Sequence, residues 1–393
     1  MMMAWEIPES YPIHRPAPLD WSLWWRLFSL AGFIIAVAAG GFWSLFKDPH
    51  SLLYALVAVT GITVLFGLIA GWRLFRYGVE LEKAEILTQE NAWQEAHWQV
   101  WASQAMRVVD YGAVFPPEVP SPAETTAWVN GDSALLLPPF SGYPDLFKDL
   151  LGLVRISLTA YVADHQVSVY FPSDQCETAA WEQFCQVWAE LGLPLSQLQG
   201  PIGLQSDYTH QINDWLTTEV KGLMLVITWW WQGEQTPNAV SEGAVIWLLA
   251  PPSSQLLAKC CLHRAMTTVS AAAERDMGQF LHYQRPAITA GTLWYNEADS
   301  PEKDRLLIRL NQMLEALSSP AQQSTPAMLD QQFVSHWLGK SGCCMDWFTL
   351  TLAMQMAECQ HAPQLLLLSQ NTSLQLGTVS PLDHVTSSGS FHV

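Results

Sequence analysis

The sequence predicts an α/β protein: an N-terminal two-helix transmembrane hairpin followed by a layered α/β soluble domain. Three observations carry that reading. Leu27 to Phe46 and Ser51 to Trp72 are uncharged apolar runs separated only by Lys47 to His50. As helices, at about 1.5 Å per residue, each is long enough to cross a hydrocarbon core of about 30 Å. From Ala134 onward strand-like and helix-like patterns alternate, which favours helices layered on a sheet. Finally, Leu223 to Trp231 and Gly243 to Ala250 are apolar on both faces, as central strands are, and too short to cross a membrane as helices.

Taken in order, residues 1–26 are a polar, Pro-containing cytoplasmic segment and 27–72 the hairpin. Residues 73–122 form a connecting helix and Pro-rich linker, 123–379 the soluble domain and 380–393 a polar tail, frayed from Ser380. Arg15 and Arg26 precede the first span, and Arg73, Arg76 and Lys83 follow the second, so both termini are expected on the cytoplasmic side of a bacterial inner membrane. The long polar lead and the second span exclude a cleaved signal peptide. Trp21, Trp24, Trp25, Trp43 and Trp72 stand at the span ends as interfacial anchors. Ala36 with Gly40, and Gly67 with Gly71, allow close packing of the spans or of two protomers. No ionisable residue lies within either span, so the hairpin reads as an anchor.

The second span is expected to continue as a helix over Tyr77 to Asp110, with Trp98, Trp101, Ala105 and Val108 on the face that packs on the soluble domain, until Pro116, Pro117, Pro120 and Pro122 end it. Beyond it, Leu153 to Tyr170, Leu223 to Trp231, Gly243 to Ala250, Ile288 to Trp294 and Pro363 to Ser369 read as strands. Ala179 to Leu193, a segment ending near Val220, Asp304 to Leu317 and Phe348 to Ala357 read as helices.

From Glu80 onward 32 acidic side chains face 13 basic ones. That field repels nucleic acid and suits a protein partner with a basic surface. Cys176, Cys185, Cys260, Cys261, Cys343, Cys344 and Cys359 are odd in number and lack a C-x-x-C spacing, as expected of reduced, buried thiols. Cys260, Cys261 and His263, or Cys359 and His361, lack the paired spacing of a structural zinc site, and no metal or cofactor is expected.

The segment Val220-Lys-Gly-Leu-Met-Leu-Val-Ile-Thr-Trp-Trp-Trp, followed by Ser241-Glu-Gly-Ala-Val-Ile-Trp-Leu-Leu249, resembles the strand, loop and G-E-A-A-x-x-L-L-L strand of thiolase-like, β-ketoacyl-synthase-like proteins. The resemblance implies a thiolase-like fold. It also implies a nucleophilic Cys in a small-residue turn at a helix N-terminus, partnered by His residues in glycine-flanked loops. Neither context is found. Cys176 follows Pro172-Ser173-Asp174-Gln175, but Asp174 and Glu177 oppose a thiolate there. The turn Ser341-Gly342-Cys343-Cys344 is the second candidate, with His336 the nearest imidazole.

Other motifs are incomplete. Gly339-Lys340-Ser341 lacks the upstream Gly of a phosphate-binding loop, whose place falls on Val334. Ser241 has no nucleophile elbow. Asp164-His165, Asp207 with His210, and Asp383-His384 read as surface turns, and Glu274-Arg275-Asp276 as a solvated face. No residue is therefore assigned a catalytic role. The expected function is that of a membrane-anchored, catalytically inactive adaptor; its overall character resembles the accessory membrane proteins of bacterial type VI secretion. The alternatives are a membrane-tethered thiolase-like acyl-transfer or hydrolytic enzyme and a membrane-held immunity protein.

Overall fold

The computed structural model describes residues 5–18, 20–46, 50–122, 133–173, 178–218, 220–231, 240–296, 301–317, 329–340, 342, 344–370 and 373–382. The chain divides into two units, Pro8–His97 and Met1–Ile7 with Trp98–Val393. The first holds α1 (Trp21–Phe46) and most of α2 (Ser51–Ala102). Asp20 opens α1 by accepting from the backbone N–H of Ser22 and Leu23 at 3.1 and 3.4 Å. Both helices are long and apolar enough to cross a membrane, and the side chains of their apolar windows are unburied. Helix α2 ends at Ala102, short of the expected Asp110. The β-branched run after it is claimed by two strands that pair with it on either side, and tertiary pairing overrides the helical spacing of Ala105 and Val108.

That run is β1 (Ala105–Val114), the first strand of the second unit. There follow α3 (Tyr143–Leu153), α4 (Arg155–Tyr161), β2 (Val167–Pro172), α5 (Thr178–Glu190), β3 (Leu198–Leu204), α6 (Tyr208–Thr217), β4 (Leu223–Trp230) and β5 (Gly243–Ala250). The second half holds β6 (Cys260–His263), β7 (Met266–Val269), α7 (Ala273–Tyr283), α8 (Arg285–Ile288), β8 (Thr292–Tyr295) and α9 (Pro301–Leu317). It closes with β9 (Asp330–Phe333), α10 (Val334–Leu338), α11 (Met345–Gln360), β10 (Gln364–Gln370) and β11 (Ser373–Pro381).

Among the described residues these strands form one eleven-stranded sheet whose order is the same pattern twice. The first half runs β3-β2-β4-β5-β1 and the second β9-β8-β10-β11-β6, with β7 also on β11. In each half the first three strands of that order are parallel. The fourth is antiparallel to its neighbours on both sides. The halves join where β1 pairs antiparallel with β6. The chain is thus a topological duplication.

Burial gives the layers. Alternate residues of β4 point opposite ways: Met224 and Val226 join a central core with α6 and α11, whereas Leu223, Leu225 and Ile227 pack under α3 and α5. In β10, Leu366 and Leu368 join that central core, whereas Leu365 and Leu367 meet α7 and α9. Helices α6 and α11, with the short α10, therefore lie between the two half-sheets, with α3, α5, α7 and α9 outside. Helix α11 is buried along most of its length, as an all-round apolar helix must be.

The layered α/β domain is the one expected, and the two apolar runs pair as adjacent strands, Ile227 opposite Ile246. Three local readings are corrected. Leu153 to Tyr170 is not one strand but α4 and then β2, and Ile288 to Trp294 yields only β8. Ser380 is no frayed tail residue, for it lies fully buried in β11 and hydrogen-bonds the His263 ring at 2.8 Å.

Candidate functional site

In each half the chain steps from its second strand to its third on one side and returns to its fourth on the other. The crevices between β2 and β4, and between β8 and β10, are topological switch points, where ligands of open α/β sheets bind at the carboxyl ends of the strands. A cavity of about 860 Å³ lies there. Ser173 and Thr228 line it from the first half, Asn296 and Ser369 from the second, and Cys344 and Asp346 from the start of α11.

Helices α6 and α11 hold equivalent places in the two halves, each following the third strand, and both begin near this cavity. Their starts differ. Asp207 caps α6, accepting from the backbone N–H of Thr209 and His210 at 2.9 and 3.3 Å and from the Gln375 amide at 3.0 Å. Cys344 stands at the cap of α11 with no side-chain cap bond and with φ 59°, in the left-handed region. Among the described residues only His361 shares that positive φ without being glycine. Such outliers persist where the surroundings over-determine them, and they cluster at functional sites. The Cys344 thiol is half-buried and donates weakly to the Trp229 carbonyl at 3.7 Å.

Burial, with the Asp207 charge nearby, pushes the Asp346 carboxyl up to about 7. It exchanges its proton near neutrality, where an ordinary carboxyl would be fully ionised. Thr228 is fully buried on the cavity wall, and among the described residues its hydroxyl oxygen has no hydrogen-bond partner.

Of the sequence candidates among the described residues, Cys344, with Gly342 of the same turn, is placed on this wall. Cys176, Ser341, Cys343 and the pair Asp383-His384 lie outside the described residues. Cys260, Cys261 and His263 are buried in β6 at the seam between the halves. There, burial raises both thiols, Cys261 to about 11, and lowers His263 to about 4. Cys359 is exposed near the far end of α11. Gly339 and Lys340 are occupied structurally, the Lys340 N–H donating to the Ser133 carbonyl and its own carbonyl accepting from Ser241 N–H, both at 2.9 Å.

Two surface readings are corrected. Asp207 is a helix cap, and Asp276 is buried, accepting from Thr268 Oγ1 at 2.6 Å because β7 brings that hydroxyl beneath α7. Sequence reading passed over Thr228, Asn296, Ser369 and Asp346. Their common signal is position at strand ends or a helix start, which becomes visible only once the strand order is known.

No protein-family model matches the chain, and no curated protein matches its sequence. Among solved structures it is similar to cerulenin-bound OleA of Xanthomonas campestris at 10% identity, over 72% of this chain and 98% of that one, with a TM-score of 0.46. It is also similar to 3-oxoacyl-[acyl-carrier-protein] synthase III of Aquifex aeolicus VF5 at 10% identity, over 71% and 99% of the two chains, with a TM-score of 0.43. The chain has a mixed α/β sheet, and these structural neighbours are of the thiolase-like kind that the resemblance implied. Against the expectation of a catalytically inactive adaptor, and of a chain more an adaptor than an enzyme, stand these neighbours, a synthase among them, and that expectation is corrected; nothing found supports the type VI secretion likeness.

Proposed function

We propose that the chain is a membrane-tethered acyl-transfer enzyme that takes its acyl group into the cavity between the two halves, with Cys344 as the acceptor. The single observation that carries this reading is a thiol held at positive φ, at the start of a buried helix, on the wall of a cavity that spans both switch points. In the transfer the Cys344 sulfur bonds the carbonyl carbon of a thioester, the donor's C–S bond breaks, and the departing thiolate takes the proton that Cys344 gives up. The N-terminus of α11 favours negative charge beside that carbonyl. Asp346, neutral below about pH 7, leaves that field unopposed there.

Incubating the purified full chain with an acyl thioester and weighing it by intact mass spectrometry tests this. One acyl group should be added, and C344A should remain unmodified while melting like the parent. An unmodified parent chain, or equal labelling of C344A, would overturn the assignment. The basic residues flanking the hairpin support a cytoplasmic enzyme domain. A C-terminal reporter active only in the periplasm should then stay silent.

A further inference from the structure

The hairpin unit carries a cavity of its own, unconnected with the acyl-transfer reading. Before α1 the chain lies along α2, tied by a reciprocal pair: Tyr11 N–H donates to Asn91 Oδ1 and Asn91 Nδ2 donates to the Tyr11 carbonyl, both at 2.9 Å. Between this segment and α2 lies a groove of about 460 Å³, lined by Pro16, Trp24, Trp72, Arg73 and Arg76. A second hollow of about 530 Å³ adjoins it, sharing Pro16 and Glu80 and adding Arg15 and Lys83.

On α2, Arg73, Arg76, Glu80 and Lys83 follow one another at steps of three and four residues, so they share one face of the helix. The stripe starts where the apolar run ends, beside Trp72, and indole rings settle at the headgroup layer. Ten residues of helix rise about 15 Å, so the face crosses the headgroup region into water. Arg73 lies over the Trp24 ring, 5.6 Å from its centroid, and Arg76 pairs with Glu80 at 3.1 Å. Arg15 and Lys83 face the adjoining hollow, and Glu80, already held by Arg76, is the acidic group on the wall of both.

We propose that this groove binds the headgroup of an anionic phospholipid, with the Arg73 and Arg76 guanidinium groups on its phosphate and Trp24 and Trp72 against its glycerol and upper acyl chains. Guanidinium meets phosphate oxygens with paired N–H donors. Trp24 of α1 and Ile69 and Trp72 of α2, from the two apolar helices, line the groove beside the arginines, so the occupant that fits it is a lipid and not a soluble anion.

The test uses the full chain in neutral detergent, with retained lipid read by native mass spectrometry. Phosphatidylglycerol should be retained at about tenfold lower concentration than phosphatidylcholine with the same acyl chains, since each basic group near an anionic headgroup contributes appreciably. R73Q/R76Q should abolish that preference, whereas K221Q, in the other unit, should keep it. Both arginines are exposed, so folding is not at stake. Equal retention of the two lipids by the parent chain, or an undiminished preference in R73Q/R76Q, overturns the proposal. So does displacement of phosphatidylglycerol by inorganic phosphate at millimolar concentration, which would mark a site for free phosphate.

Discussion

Replacing Ile246 by Asp should unfold the second unit, and the expected size follows from where the residue sits. Ile246 is fully buried in β5, opposite Ile227 of β4 on one side and Gly112 of β1 on the other. Its side chain belongs to the outer core beneath α3 and α5. Removing that apolar burial costs about 1.5 to 3 kcal/mol. An uncompensated carboxyl in its place costs several more, whether it stays charged or is forced to hold a proton. The sum rivals the whole stability of a typical domain, about 5 to 15 kcal/mol. Ile246→Val at the same site deletes one methyl and should cost about 0.5 to 1.5 kcal/mol, a drop of a few degrees. Tryptophan fluorescence of the solubilised chain during heating reads both. A cooperative melt of I246D within a few degrees of the parent would refute the burial of β5 and the layering built on it.

Gly112→Ala should also destabilise, because a Cβ there would lie 2.6 Å from Leu153 Cβ, where α3 crosses β1; overpacking of that kind costs about 1 to 3 kcal/mol and would lower the melting midpoint. Asp346 sets a pH dependence: its folded-state affinity for a proton exceeds that of the unfolded chain, so its share of stability is present below about pH 4 and lost as pH rises to about 7. Melting midpoints measured across that window should fall with pH in the parent and hold steadier in D346N; identical profiles would show that Asp346 does not titrate there. Asp207→Asn keeps a good cap while removing the like charge, so it should move the end of the fall to lower pH.

What could be read from the sequence was whatever depends on near neighbours along the chain. The long apolar α1 and α2, the doubly buried β4 and β5, and the amphipathic α5 each carry their own pattern, because a uniform or two-sided environment dictates every residue of a short segment. Strand β1 was misread because Trp98, Trp101, Ala105 and Val108 keep helical spacing across the junction. The first two pack as helix residues, and the last two as a strand whose partners lie more than a hundred residues away. Strands β6, β7 and β9 are four residues each, too short for a period to show. The cavity was out of reach for the same reason. Thr228 and Ser369 gain meaning only from the order β3-β2-β4 and its copy β9-β8-β10, which no local window contains.

The duplication also bears on why chemistry is assigned to one helix start and not to its equivalent. A helix begins with four backbone N–H groups that have no intrahelical partner, and these attract an anion or a carbonyl oxygen. At α6 that capacity is taken by the chain itself: the Asp207 carboxylate accepts two of the N–H groups and is held in turn by Thr209 Oγ1 and Gln375. At α11 the cap residue is a thiol that accepts none, and the nearest carboxyl, Asp346, is kept by burial from being fully ionised below about pH 7. Two ends that the topology makes equivalent differ: one is capped by Asp207, and the other has Cys344 at its cap, on the cavity wall. In the proposed transfer, an acyl carbonyl entering between the halves would meet the Cys344 thiol at α11 and the Asp207 cap at α6. Under that proposal the same asymmetry would orient the acyl group, with its carbonyl oxygen turned to α11 and away from Asp207.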